Sequence, residues 1–161
     1  MNLRIIATGG TFDKHYDELK GELGFGPSHL PSVIKRTRMT VPVELDQLPL
    51  LDSLQMQDVD RERVLASCKQ APESAIVIIH GTDTMQQTAA VLGQAKLDKT
   101  IILTGAMIPY KIDNSDALFN FGFACGVAQT LPAGVYVAMN GQVFRWDNVK
   151  KNRQEGVFQL A

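Results

Sequence analysis

Leu3-Arg4-Ile5-Ile6-Ala7-Thr8-Gly9-Gly10-Thr11-Phe12-Asp13 is a largely apolar run that ends abruptly in Thr-Gly-Gly-Thr. Leu3 to Thr8 is β-rich and largely apolar on both faces, the pattern of a central parallel strand. The glycines that follow let the backbone take positive φ and come close to a ligand. In open α/β sheets ligands bind outside the carboxyl ends of the strands. Thr11 is therefore the first candidate for chemistry. On this stretch alone, a plain turn with a solvated threonine fits equally well.

Two further strands end in the same way. Ala75 to Ile79 is a nearly pure β-branched run that leads into His80-Gly81-Thr82-Asp83-Thr84-Met85. Thr100 to Leu103 leads into Thr104-Gly105-Ala106-Met107. In a parallel sheet these ends share one edge. Helical stripes separate the strands. Leu30, Val33 and Ile34 form one, capped by Ser28 with Pro31 in its first turn, and it runs to about Met39. Val64, Leu65, Cys68 and Ala71 form a second behind Asp58, and Met85, Ala89, Leu92 and Ala95 a third. The fourth, behind Ser115, turns Leu118, Phe121, Gly122, Cys125 and Ala128 inward. Val41, Val43 and Leu45 alternate as a half-buried strand, and Asp46 to Gln57 reads as a loop. Gly134 to Met139 is a strand, Asn140-Gly141 a type I′ hairpin turn, and Gln142 to Trp146 pairs back.

The alternation predicts an α/β domain over residues 1–161. Its mainly parallel, mixed sheet is flanked by helices and carries a C-terminal β-hairpin. Phe12 to Pro27 is polar and glycine-containing and holds His15 and Tyr16. It reads as a mobile loop with a helical turn through Asp17 to Leu23, in the position of an active-site lid. Asp147 to Ala161 reads as a basic tail.

Composition narrows the function classes. A net charge of −1 supplies no basic field for nucleic acid or an anionic membrane. No apolar run approaches the length that spans a bilayer. Asn2-Leu3-Arg4 runs straight into a short strand, so no signal peptide is expected. Cys68 and Cys125 fall on apolar helix faces as buried free thiols, without a disulfide framework, and a cytoplasmic location is expected from them.

The His80 to Thr84 cluster is the most informative. A helix begins at its end, so backbone N–H groups and the helix dipole favour an anion there. Asp83 can bind a cationic group at the same point. Thr82 or Asp83 as a mere helix cap is the competing reading.

Thr8-Gly9-Gly10-Thr11 followed by His80-Gly81-Thr82-Asp83-Thr84-Met85 resembles the bacterial-type L-asparaginase family. Asp52-Ser53, Gly105-Ala106-Met107-Ile108-Pro109, Ser115-Asp116 with Phe119-Asn120, and Met139-Asn140 match as well. The resemblance implies an asparaginase N-terminal-domain-like fold and hydrolysis of L-asparagine to L-aspartate and ammonia. A glutaminase side activity is allowed, and no metal or cofactor is used. It implies Thr11 as nucleophile of an acyl-enzyme mechanism, with Thr82, Asp83 and Lys151 as catalytic partners and Lys150 as the adjacent alternative. Ser53 matches the residue that holds the substrate α-carboxylate, and Asp83 also binds the α-ammonium. Gly10, Asp52, Gly81, Thr82 and Ala106 complete the implied substrate contacts.

The family's tyrosine lies farther from the nucleophile than Tyr16, the one tyrosine in this loop, so Tyr16 is assigned its role from a different direction. His15 or Asp13 could assist it. Leu54 stands where relatives often carry a polar residue. The resemblance is to a short, single-domain variety, since typical members carry a second, C-terminal domain. Weaker substrate affinity and a homodimer or homotetramer are expected, with Phe119 to Val127 as the candidate surface. An amino-acid-binding module and an ammonia-producing amidotransferase-like subunit are the alternatives.

Overall fold

The computed structural model describes residues 1–161. In chain order its strands and helices are β1 (Leu3–Gly9), β2 (His15–Asp17), β3 (Glu22–Gly24), α1 (Leu30–Thr37), β4 (Val43–Leu51), α2 (Asp58–Gln70), β5 (Ala75–Ile79), α3 (Met85–Gln94), β6 (Thr100–Thr104), α4 (Ala117–Ala128), β7 (Gly134–Met139), β8 (Gln142–Arg145), β9 (Lys150–Asn152) and β10 (Val157–Gln159). Single 3-10 turns at Thr11–Asp13 and Ser53–Gln55 lie just beyond β1 and β4.

The main sheet has six strands in the order β4-β1-β5-β6-β7-β8. Every pairing from β4 to β7 is parallel, and β7–β8 is antiparallel. Both faces are covered, which is why β5 and β6 are buried at every residue. One core packs Val64, Leu65 and Cys68 of α2 and Met85, Ala89 and Leu92 of α3 on Ile6, Ile76, Ile78, Ile101 and Leu103. The other packs Leu30 and Val33 of α1 and Phe121, Ala124 and Cys125 of α4 on Leu3, Ile5, Val77, Ile79 and Ile102. The fold is the mixed, mainly parallel sheet between helices that the alternation predicts. At the β7–β8 turn both Asn140 (φ 57°) and Gly141 (φ 72°) are left-handed, as a type I′ turn requires.

Five local readings need correction. The segment after Phe12 forms an antiparallel hairpin, β2–β3, in which the expected helical turn is reduced to the connection, where Gly21 N–H donates to the Asp17 carbonyl at 2.7 Å. Asp17 closes it, accepting from the N–H groups of Leu19 and Lys20. β4 continues to Leu51, through residues read as loop, because its register with β1 extends to Gly9↔Leu51. The tail forms a second hairpin, β9–β10, anchored by buried Val149 and Phe158. In α4 Gly122 faces solvent, and Ala117 and Ala124 join the core instead. Helix α1 begins one residue later than Ser28 suggests. The Ser28 hydroxyl still accepts from Leu30 N–H, with His29 at the cap position.

Candidate active site

β1, β5 and β6 end on one edge of the sheet, and their turns touch there. Gly10 (φ 76°) brings its backbone so close to Gly81 that a Cβ on Gly10 would lie 2.4 Å from the Gly81 nitrogen and Cα. Thr11 follows Gly10, and Thr82 follows Gly81, so a hydroxyl-bearing residue flanks this contact on each side. Gly105 is equally pressed: a Cβ there would meet the His80 carbonyl oxygen at 2.3 Å. Asp116 accepts from Met107 and Ile108 N–H, and Asn120 donates to Gly105 O, which together brace the turn holding buried Ala106.

The second cluster collects a lysine from the far end of the chain. The Lys151 ammonium donates to Thr82 Oγ1 at 2.8 Å and to Asp83 Oδ1 at 2.9 Å. Its side chain is 8% exposed, while that of Asp83 is 31% exposed. Lys150, next to it, faces solvent. The β9–β10 hairpin that carries Lys151 is tied back by Asn140, whose Oδ1 accepts from Phe158 N–H at 2.9 Å. Phe158 pairs with Lys151 across the hairpin.

Ser53 is buried against the start of α3. Its Oγ accepts from Thr84 N–H at 3.2 Å, and its carbonyl accepts from the Thr84 hydroxyl at 2.8 Å. Gly81 allows the approach, since a Cβ there would stand 2.6 Å from Ser53 Oγ. Asp52 caps the 3-10 turn by accepting from Leu54 N–H and pairs with the Lys14 ammonium at 2.7 Å. The bond from Lys14 holds the Asp52 carboxyl below its ordinary range, helped by the Leu54 N–H and opposed by partial burial. His80 is fully buried, and desolvation drives its pKa down to about 4. Its Nδ1 lies 2.7 Å from the Gly81 carbonyl, which can only accept, so Nδ1 carries the proton and Nε2 accepts from Thr88. His80 is thus a neutral brace for the loop.

Residues 2–159 match the family described as Asparaginase, N-terminal. The chain belongs to the asparaginase family. A probable periplasmic L-asparaginase of Haemophilus influenzae is 29% identical over 178 residues, covering 97% of this chain and 48% of that protein. A glutamyl-tRNA(Gln) amidotransferase component from Methanococcus vannielii is 30% identical over 97% of this chain and 37% of its own length. The thermostable L-asparaginase of Thermococcus kodakarensis superposes with a TM-score of 0.88 at 28% identity, covering 99% of this chain and 51% of that one. The asparaginase-family chain thus spans about half the length of the curated relatives it matches.

Within this asparaginase-family domain, Thr11, Gly10, Gly81, Thr82, Asp83, Ser53 and Lys151 gather at one edge. Tyr16 is not brought to Thr11 by any hydrogen bond. It stands on β2 with 61% of its surface exposed. His15 stacks on His29 with ring centroids 3.9 Å apart, at the base of the hairpin. Asp13 is buried there and accepts from the Ser28 hydroxyl and His29 N–H. Lys14, Arg61 and Thr84 also hold the site, and sequence reasoning passes over all three. Lys14 and Arg61 look like ordinary surface charges, while Thr84 sits inside the recognised motif. No helix is long and apolar enough to cross a membrane. Burial pushes both thiols, Cys68 and Cys125, up to about 12, which leaves them unreactive.

Proposed function

We propose that this chain carries the chemistry of an amidohydrolase that converts L-asparagine to L-aspartate and ammonia, with Thr11 as nucleophile. The observation that carries the proposal is the contact of Lys151 with both Thr82 and Asp83, made across 69 and 68 residues of sequence. A threonine hydroxyl attacks only when a neighbour takes its proton. A lysine takes one only as the neutral amine, so in this reading Lys151 sheds its extra proton to solvent before the attack. In this proposal the Thr11 oxygen attacks the side-chain carboxamide carbon while its proton passes through Thr82 toward Lys151. The C–N bond breaks, and the nitrogen leaves as ammonia with a proton returned by the relay. Water then adds to the Thr11 ester, its C–O bond to Thr11 breaks, and the threonine hydroxyl is restored.

Backbone N–H groups near Gly10 and Thr82 are assigned to the developing oxyanion, at about 3–4 kcal/mol per donor. Ser53 and the first turn of α3 take the substrate α-carboxylate. Asp83, partly open to solvent, takes the α-ammonium, which then shares that carboxylate with Lys151. Asp52, Gly81 and Ala106 line the same space. Tyr16 reaches the substrate only if the β2–β3 hairpin folds inward, so Tyr16→Phe should lower kcat while leaving the fold intact. An unchanged kcat removes Tyr16 from the mechanism. Glutamine is a second substrate of the same site, because one methylene separates the two by only about 1–3 kcal/mol.

Residues 1–161 are taken as one structural domain. A homodimer or homotetramer belongs to the proposal, supported by exposed Phe119 stacked on Phe123 along α4. A cytoplasmic location rests on the free thiols, and cell fractionation checks it. The amidotransferase component among the relatives supports one other reading, in which ammonia is freed for a partner enzyme. Ammonia release by the purified chain from free L-asparagine, abolished by Thr11→Ala, separates the two. Release that requires an added partner would favour the second.

A further inference from the structure

Arg61 is a buried cation without a counter-ion. The residue is 5% exposed and makes no ion pair. One guanidinium nitrogen donates to Thr84 Oγ1 at 3.1 Å and another to the Met56 carbonyl at 3.3 Å, while Nε is buried with no partner. The neighbouring Asp60 is already engaged, by Arg63 and by Gln57 N–H. Burying an unpaired charge is costly, so an unneutralised guanidinium raises the question of which anion completes it.

The surroundings answer it. Thr84 links Arg61 to Ser53, since its hydroxyl accepts from Arg61 and donates to the Ser53 carbonyl, and its N–H donates to Ser53 Oγ. Thr84 also stands at the N-cap of α3 with no side-chain cap bond, so the positive end of that helix adds to the same field. The charge of Arg61 is felt at His80, whose proton it helps to repel. No carboxylate of the chain forms an ion pair with Arg61.

We propose that Arg61 is a positioning and specificity residue: its uncompensated charge demands an anionic α-group at Ser53 and holds Ser53 in place through Thr84. The inference rests on the reading of Ser53 as the α-carboxylate site. It predicts that analogues neutral at the α-group bind less well. A low-dielectric position strengthens the field of a fixed cation, and it needs no reorganisation when the anion arrives.

The test compares binding of L-aspartate with that of its α-amide, which is nearly the same shape but neutral at the α-group. Calorimetry is run on the full chain as wild type, Arg61→Gln and Arg61→Lys, with thermal melts to confirm folding. We expect the preference for L-aspartate over the amide to fall about tenfold in Arg61→Gln. In Arg61→Lys, which keeps the charge, it should stay within about threefold. Equal losses for both ligands in Arg61→Gln would mark a merely structural role and overturn the inference. So would a collapse of the preference in Arg61→Lys, which keeps the test decisive if Arg61→Gln does not fold. If wild type binds neither ligand and releases no ammonia from L-asparagine, the reading of the site fails, and the inference fails with it.

Discussion

Gly10 and Gly81 meet backbone to backbone, with room for no side chain on either. A Cβ on Gly10 would lie 2.4 Å from Gly81, and one on Gly81 would lie 2.6 Å from Ser53 Cβ and Oγ. The contact joins the turns that follow β1 and β5, next to Thr11 on one side and Thr82 on the other. We expect Gly81→Ala to cost about 1–3 kcal/mol of stability and to remove ammonia release. Gly122→Ala, on the open side of α4 with nothing within 4 Å, should instead stabilise slightly. Melting curves and the ammonia assay on both variants check this. An active Gly81→Ala protein would show that the tight approach is not needed.

Lys151 and Lys150 are neighbours in sequence but not in environment. Lys151→Met should lower kcat by about 100-fold or more, with the melting temperature little changed because β9–β10 is a peripheral hairpin. Lys150→Met should leave the rate as it is. Steady-state kinetics on the pair decides whether the contact with Thr82 and Asp83 matters to turnover.

The relation between these lysines and the rest of the site was only partly legible in the sequence. Strands β1, β5 and β6 announce themselves because both faces are buried, which leaves almost continuous apolar runs. β4 is an edge strand with alternating exposure, so Asp46, Gln47 and Pro49 hide its second half. β2–β3 and β9–β10 are three-residue strands, too short for any period to show, and their pairing is set by turns and by tertiary anchors such as Phe158. The Thr, Ser and Asp residues of the motifs could be found because they sit at strand ends. Arg61 could not, since its neighbours on α2 are charged and only the folded structure buries it.

His80 makes stability depend on pH. It is neutral when folded, with a pKa near 4, against 6.5 when unfolded. Between these values the unfolded chain binds more protons, so its contribution is complete above pH 6.5 and is lost as pH falls toward 4. The loss is on the order of 3 kcal/mol. Asp52, whose folded pKa is lowered, contributes stability that is present above its ordinary value of 3.8 and is lost at still lower pH. Denaturant unfolding of wild type and His80→Gln from pH 7 to 4 should show a slope in the first and a flatter profile in the second. Parallel profiles would assign the acid sensitivity elsewhere.

Phe119 presents 62% of its surface to solvent while stacking on Phe123 at 6.2 Å. An aromatic pair exposed on one helix face suits a self-association surface. Light scattering at assay concentration should give at least a dimer mass for wild type and a lower mass for Phe119→Asp. A monomeric wild type would remove the oligomer from the account.

The central claim is that Thr11 is a nucleophile. Ammonia release from L-asparagine by the purified chain, wild type against Thr11→Ala, tests it most directly. We expect release by wild type and a loss of about 1,000-fold or more in Thr11→Ala with an unchanged melting temperature. Turnover by Thr11→Ala at the wild-type rate would contradict the claim, as would a wild type that binds L-aspartate but releases no ammonia.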